Sequence, residues 1–405
     1  MEMKKWSRTK VGEETLRSRP SFAYAVVFLV VLGVTAHLSG ISEATAAEQK
    51  KLEPYKVAAI YSTTGFTAVA GSEMLSGAQL LVDNVNKSGG INGHPLELIH
   101  YDPEAKAENV TSQGKKAVQR DKVLAMIGPE SITFAAALSA VANEAKIVMI
   151  HGGGAYGPMS AYEFSSFPVI GLHNATGLFL KKKGISAVGV IAQAGPIAEE
   201  HLRNLVPAFE KANVKIVGFE QVQATDRDMT PILAKLRAAG SQAIYSGALG
   251  APGAVVAKNF KQLSMPGFLM TFIGNANMAF VDLLGDAADV TYIMGNKVLA
   301  YEDLPSNDPA KNRLVAFAKD YKAKFKKEPS VTVAVGYDAL LPIVEALKVV
   351  GPDSNKIRDK IETGQPGLVG INGAVSRSAT EHNGLAPDFV PVMIDVAKKR
   401  FRLAN

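Results

Sequence analysis

Residues 123–154 read VLAMIGPESITFAAALSAVANEAKIVMIHGGG. Two apolar runs, VLAMI and IVMI, each stop at glycine, and between them an alanine-rich segment of helical spacing begins at Ser131-Ile132-Thr133. Strand, helix, strand at this spacing predicts a parallel pair, because parallel strands need a crossover and a helix supplies it. In an open parallel sheet the helix N-termini aim unpaired N–H groups outward beyond the carboxyl ends of the strands, where ligands bind. Ser131 and Thr133 stand at such a place. Either can cap the helix, offer a hydroxyl to a ligand carboxylate, or do both, since one cap uses only some of the free donors.

The same alternation extends in both directions. YKVAAIYS, LELIHYD, VLAMIGP and KIVMIHG read as strands, with SEMLSGAQLLVDNVNKSG, NVTSQGKKAVQRD and TFAAALSAVANEAK as the helices between them. A second series begins near Ala187 with AVGVIAQ, VKIVGFEQV, QAIYSGAL, GFLMTFIG and TYIMGNKV, separated by EEHLRNLVPAFEKAN, DMTPILAKLRAAG and GAVVAKNFKQLS. Two open parallel sheets covered on both faces are expected in succession. The tail differs, with long helical segments at 309–327 and 331–350, a Gly/Pro/Asn-rich stretch, and one final strand, PVMIDVAKKRFRL.

A chain of 405 residues, 47% hydrophobic and 20% charged, is more than one core usually holds, so two domains are the prior. The formal charge is +6, and residues 1–47 hold six Lys/Arg and four Asp/Glu, leaving the remainder at +4. The basic runs at 181–183, at Lys322, Lys324, Lys326 and Lys327, and at 398–400 lack interleaved aromatics, so they read as solvated faces and not as a nucleic-acid groove. Residues 1–47 read as an export signal: basic residues from Lys4 to Arg19, an apolar core at 21–38, and a small-residue cleavage pattern near Ala46 and Ala47. An uncleaved anchor is the alternative. Cysteine is absent, which excludes disulfides, thiolate metal sites and a lipid-modified cysteine, and suits a free periplasmic protein.

With these elements in order, YKVAAIYSTTGFTAVAGSEMLSGAQLLVDNVNKSGGINGHPLELIHYDPEAKAENV resembles the opening of periplasmic substrate-binding proteins of the leucine/isoleucine/valine-binding type, which serve ATP-driven importers. The resemblance rests on Thr64-Gly65, Gly77-Ala78, Asn84-Val85-Asn86, Gly89-Gly90-Ile91-Asn92-Gly93 and Tyr101-Asp102, and later on Ile127-Gly128-Pro129, Ala224-Thr225-Asp226 and Gly336-Tyr337-Asp338-Ala339. It implies two doubly wound parallel-sheet lobes joined by hinge crossovers, lobe one at 53–172 plus 302–382 and lobe two at 173–301 plus 383–405, closing on a ligand between them. It further implies a small-molecule ligand, importer permease subunits as partners, no cofactor, and a monomer.

The family's carboxylate-binding serine and threonine fall on Ser131 and Thr133. Its next turn, which supplies backbone N–H and a threonine hydroxyl, corresponds to Gly153, Gly154, Ala155 and Tyr156, with Ala155 in the threonine's place. Thr64, at the turn after the first strand, joins the expected ligand set, and Phe66, Phe134 and Tyr156 are expected to line the cleft from lobe one. Lobe two departs from the amino-acid binders. The segment that carries their ammonium-facing acid corresponds to 272–277, which is neutral, with Asn275 or Asn277 offering only a carbonyl. Leu249 and Ala194-Gly195 stand where aromatic rings are expected. A buried ammonium without an opposite charge costs several kcal/mol, so the expected ligand has a carboxylate or similar head, an apolar or aromatic body, and no free α-ammonium.

Rival readings fare worse. Gly152, Gly154 and Gly157 satisfy G-x-G-x-x-G, but Pro158 follows where a helix should open and the acid expected about 20 residues on is missing, so a nucleotide-dependent enzyme does not fit. None of the seven histidines has a metal-ligand or triad-like neighbour pattern. His151, at a strand end, reads as a structural hydrogen-bonding residue, and Glu199-Glu200 as a solvated helical pair. A membrane-tethered sensor domain of the same fold remains an alternative.

Overall fold

The computed structural model describes residues 52–154, 159–167, 169–363 and 365–404. The expected export signal lies outside these residues. The first sheet is parallel throughout, in the order β2–β1–β3–β4–β5, with β1 Tyr55–Ile60, β2 Leu96–Tyr101, β3 Ala125–Ile127, β4 Val148–His151 and β5 Glu163–Ser165. Helices α1 Ala68–Lys87, α2 Ala107–Gln119 and α3 Ile132–Ala145 connect its strands. Between α1 and β2 the chain turns through Gly89, Gly90, Asn92 and Gly93, all at positive φ as the Gly/Asn pattern requires. The strand β5 has only three residues, too few to leave a periodic signal.

After β5 come α4 Val169–Lys182, β6 Ala187–Gln193, α5 Pro196–Glu200, a π-helical turn His201–Leu205, α6 Val206–Lys211, β7 Lys215–Val222, α7 Thr230–Ala238, β8 Ala243–Gly247, α8 Gly250–Gln262, β9 Leu269–Thr271, α9 Met278–Leu284 and β10 Thr291–Asn296. The tail supplies α10 Lys311–Phe325, α11 Val331–Val350, α12 Ser354–Glu362, the small antiparallel pair β11 Gly373–Val375 and β12 Leu385–Pro387, then β13 Phe389–Asp395 and β14 Arg400–Leu403. The second sheet runs β14–β13–β10–β9–β8–β6–β7. It is mixed, not wholly parallel: β13 lies antiparallel to β10, and β14 to β13.

Two sequence expectations change here. The single final strand is a hairpin, because the Asp395 carboxylate accepts the Lys398 N–H at 3.1 Å and Lys399 takes a positive φ, making a turn without glycine. The expected helix over 199–213 is interrupted by the π-helical turn, in which the Val206 N–H reaches the His201 carbonyl. Pro207 lacks the N–H that would bond the Arg203 carbonyl in a regular α-helix, so the register is free to widen just before it.

Burial on both faces explains why β1 is a continuous apolar run. Val57 and Ala59 pack into the core that includes Met74 and Leu81 of α1 and Leu340 and Ile343 of α11. Ala58 and Ile60 face the core of α2 and α3, with Val110, Phe134 and Leu138. Helices α1 and α11 approach backbone to backbone. A Cβ at Gly77 would stand 1.9 Å from the Val333 carbonyl oxygen, and one at Gly336 1.9 Å from that of Met74. Among the described residues no helix is long and apolar enough to cross a membrane.

The chain passes from the first sheet to the second after β5, returns through the 3-10 turn Lys297–Ala300, and passes over again before β13. One buried carboxylate ties these passages together. Asp338, on α11, accepts the N–H groups of Ile371 at 2.6 Å and Asn372 at 2.7 Å, and the Asn372 side chain accepts from Asn296, at the end of β10, at 2.5 Å. Burial pushes the Asp338 carboxyl up to about 6, outweighing the two N–H bonds that favour its ionised form. A folded-state value above the unfolded one of about 3.9 means that its contribution is complete below that unfolded value and is lost as pH rises through about 6. Denaturant unfolding between pH 4.5 and 7.5 is expected to show this fall in the wild type and not in Asp338→Asn, and an equal pH dependence in both proteins would contradict it.

Candidate functional site

Each sheet reverses its winding once. In the first, α1 carries the chain from β1 to β2 on one side, and α2 brings it back to β3 on the other, so the loops 61–67 and 128–133 flank a switch point. In the second, β7 lies on one side of β6 and β8 on the other, placing loops 194–196 and 248–250 in the same position. Switch points beyond strand carboxyl ends are where open α/β sheets bind ligands.

Of the residues expected from lobe one, the described ones on the loops after β1, β3 and β4 converge on the first switch point. Ser131 caps α3, its hydroxyl accepting the Thr133 N–H at 3.3 Å, while the Thr133 side chain is exposed. The turn after β4 lies against this helix N-terminus. A Cβ on Gly153 would stand 2.4 Å from the Ile132 nitrogen, so only glycine admits the approach. The Gly153 carbonyl accepts from Ser165 Oγ at 3.0 Å, and Gly154 is buried beside the Val169 side chain. Thr64 is exposed in the β1 loop. Burial works against the ionised Asp102 beside it, yet hydrogen bonds from Thr63, the Glu104 N–H and Thr64 hold that carboxyl down to about 2. Phe66 is 81% exposed, with its ring 6.1 Å from that of buried Phe134. Ala155 and Tyr156 lie outside the described residues.

Glu130 was not anticipated. It is buried between the two loops, where one oxygen accepts the Ser62 N–H at 3.1 Å and the other the Thr67 hydroxyl at 2.5 Å, joining the β1 loop to the loop that bears Ser131. A glutamate beside a serine cap reads from sequence as part of the cap. Only the pairing of β1 with β3 brings Ser62 and Thr67 to it.

On the second sheet, Leu249 is half-buried, immediately precedes α8, and donates its N–H to Gln193 Oε1 at 3.3 Å. Asn275 is 1% exposed and fully engaged: its amide donates to the Ala248 carbonyl at 2.9 Å and Thr271 Oγ1 at 2.7 Å, and its oxygen accepts the Gly250 N–H at 2.9 Å. The residue expected to face a ligand is thus a brace between the loops after β8 and β9, since a buried amide is stable only with its groups paired. The loops 194–196, 248–250 and 272–277 carry no acidic residue.

Two histidine readings are also revised or located. His151 is fully buried with Nε2 3.5 Å from Glu163 Oε1. Glu199 is exposed as expected, but Glu200 is 3% exposed and meets two buried histidines, His173 and His201, so only one of the two glutamates is solvated and the histidines do have an acidic neighbour. The separation of 27 positions from His173 to Glu200 hides this from any spacing rule.

A cavity of about 570 Å³ lies elsewhere, lined by Glu73, residues 276–278, 298–302 and 327–330, and the turn at 398–401. Of the residues expected to face a ligand, it includes Asn277 alone. Crossing segments and turn tips line most of it, with Ala276 and Asn277 of the 272–277 loop, and half-buried Glu73, raised by burial against its bond from Ser330, stands in its wall.

Residues 54–394 match the family model described as periplasmic binding protein. The chain belongs to that family. Curated relatives of this periplasmic binding protein include the leucine-, isoleucine-, valine-, threonine- and alanine-binding protein of Pseudomonas aeruginosa, 23% identical over 76% of this chain and 81% of the relative. The Leu/Ile/Val-binding protein of Escherichia coli is 21% identical over 72% and 80%. Among solved structures, an extracellular ligand-binding receptor from Rhodopseudomonas palustris covers 87% of this chain and 99% of its own at 21% identity, with a TM-score of 0.75. A branched-chain amino acid transporter substrate binding protein from Streptococcus pneumoniae, in complex with isoleucine, gives the same identity and coverage with a TM-score of 0.70. These likenesses establish the two-lobed α/β fold of type I periplasmic binding proteins.

Replacing Glu130 with Ala strands the buried Ser62 N–H and Thr67 hydroxyl, so Glu130→Ala is expected to lose about 1–3 kcal/mol of stability in denaturant unfolding.

Proposed function

We propose that this protein is an extracytoplasmic solute-binding protein that captures a small carboxylate-bearing ligand between two lobes, 53–172 plus 302–382 and 173–301 plus 383–405, and delivers it to the permease of an ABC-type importer. The observation that carries the reading is the α3 N-terminus at the first switch point, where Ser131 and Thr133 stand beside the backbone of Gly153. Free N–H groups, hydroxyls and the positive end of the helix there favour an anion. Support for small-solute binding comes from the relatives, whose names specify branched-chain and other amino acids.

The ligand we propose has a carboxylate or similar head, an apolar or aromatic body, and no free α-ammonium. The loops at the second switch point have no acid to oppose an ammonium, and Asn275 has spent its amide on the protein's own backbone and Thr271. In lobe one, Glu130 and Asp102 are each engaged by their own loops. Leu249, in place of a ring, leaves room for a bulkier body. Cleavage of the leader near Ala46 and release into the periplasm belong to the same proposal.

Calorimetric titration with leucine, phenylalanine and their deaminated acids tests it. The deaminated acids are expected to bind more tightly than the amino acids, and Ser131→Ala/Thr133→Ala to weaken them by about 1–3 kcal/mol, roughly 5- to 150-fold. Submicromolar leucine binding with a much weaker deaminated analogue would return the protein to the branched-chain amino-acid class. Wild-type affinity in the double variant would remove the anion seat.

A further inference from the structure

Beneath the loops of the second switch point, with Phe272 of the 272–277 loop 5.4 Å from the His201 ring, two imidazoles and a carboxylate meet inside the second lobe. His173 comes from α4, the helix by which the chain enters that lobe, and Glu200 and His201 from the junction of α5 with the π-helical turn. Their exposures are 0%, 3% and 0%. Glu200 Oε1 stands 2.8 Å from His173 Nε2, Glu200 Oε2 stands 2.6 Å from His201 Nδ1, and one donor atom from each of the three residues lies within 4.8 Å of the others. A Cβ at Gly247 would fall 2.4 Å from His201 Nε2, so glycine at the end of β8 makes room for the ring.

Hydrogen bonding alone leaves this cluster incomplete. His173 Nδ1, Glu200 Oε2, both His201 ring nitrogens and the hydroxyl of Tyr245 are buried without a well-formed hydrogen bond, although buried polar groups in folded proteins are almost always paired. The Tyr245 ring lies 5.3 Å from that of His201, close enough to Glu200 for its charge to bear on the phenol. Two imidazole nitrogens and one carboxylate oxygen are a recurrent three-residue set for zinc, which leaves a fourth position for water or another oxygen. Bonds of about 2.0–2.2 Å in tetrahedral geometry put ligand atoms about 3.3 Å apart, so loading requires the two Glu–His pairs, now at 2.8 and 2.6 Å, to open by roughly 0.5–0.7 Å while the two imidazole nitrogens settle around the same centre. The cluster also coincides with a π-helical turn, a widening found frequently at functional sites.

We propose that His173 Nε2, a Glu200 carboxylate oxygen and His201 Nδ1 form a buried site for a divalent first-row transition cation, with zinc the best fit to two imidazoles and a carboxylate. The cation takes the imidazole lone pairs at His173 Nε2 and His201 Nδ1, each N–H moving to the other nitrogen of its ring, and protonation of the imidazoles competes with it, so loading weakens as pH falls. Tyr245 is at hand for the fourth position or for a water held there. The site rivets α4 to the α5 junction beneath the end of β8, at the place where the chain enters the second lobe. Since the chain has no cysteine, thiolate binding cannot mimic it.

Tag-free protein, stripped with chelator and then incubated overnight with zinc or refolded in its presence, is dialysed and analysed for metal. One zinc per chain, a higher melting temperature with zinc, and the visible absorption of four-coordinate cobalt in the cobalt-loaded protein are expected. His201→Ala and Glu200→Gln are expected to lower zinc affinity by more than about 100-fold, the upper end of what losing even an outer-shell partner costs. His94→Ala, at an exposed histidine-to-backbone contact, is expected to leave it unchanged. Glu200→Gln keeps the side chain's size and hydrogen-bonding reach, so it serves if His201→Ala fails to fold. Substoichiometric zinc after loading, or stoichiometric zinc retained by either folded variant, would overturn the site.

Discussion

Helices α1 and α11 touch backbone to backbone, and the rest of the molecule depends on that contact. They come from opposite ends of the described chain, yet Gly77 and Gly336 let each helix admit the other's carbonyl groups with no side chain between. Together they cover one face of the first sheet, which α2 and α3 cannot reach. A lobe assembled this way is complete only when the chain has gone out to the second sheet and come back. The excursion is therefore part of the first lobe's stability, and the two lobes are bound to each other by chain connectivity as well as by contact.

The same helix carries the carboxylate that holds the passage between lobes. Asp338 is buried among the chain segments that pass from one sheet to the other, and its two bonds to the 371–372 backbone continue through Asn372 to the end of β10. A carboxyl raised to about 6 by burial is a costly group to keep. Removing it would cost more, because two buried backbone donors would then go unpaired. The passage between lobes is held by directional polar bonds, whereas the cores on either side are held by apolar packing.

Doubly winding a sheet creates one place where loops diverge in opposite directions, and this protein does so twice. At the first such place the loops are tied by Glu130 and offer a helix N-terminus. At the second they are tied by Gln193 and Asn275 and offer no acid. The asymmetry between a helix N-terminus at one switch point and acid-free loops at the other follows from which residues have been used up in bracing loops.

Strand and helix order, the two-series layout and the place of Ser131 and Thr133 were legible in the sequence, because apolar runs buried on both faces and helix starts after glycine are local signals. The Gly89 to Gly93 turn was legible for the same reason. Other features belong to the tertiary structure. The hairpin at 395–400 forms on an aspartate side chain and not on a turn motif, and β5 is too short to show a period. Asn275 became a brace because β8 and β9 are neighbours, and Glu130 a tie because β1 pairs with β3. The approach of Glu200 to His173 depends on α4 packing beside the π-helical turn. Periodicity reports what a residue does to its own segment; which buried polar groups meet is decided only when distant segments pack, since each must find its partner across the fold.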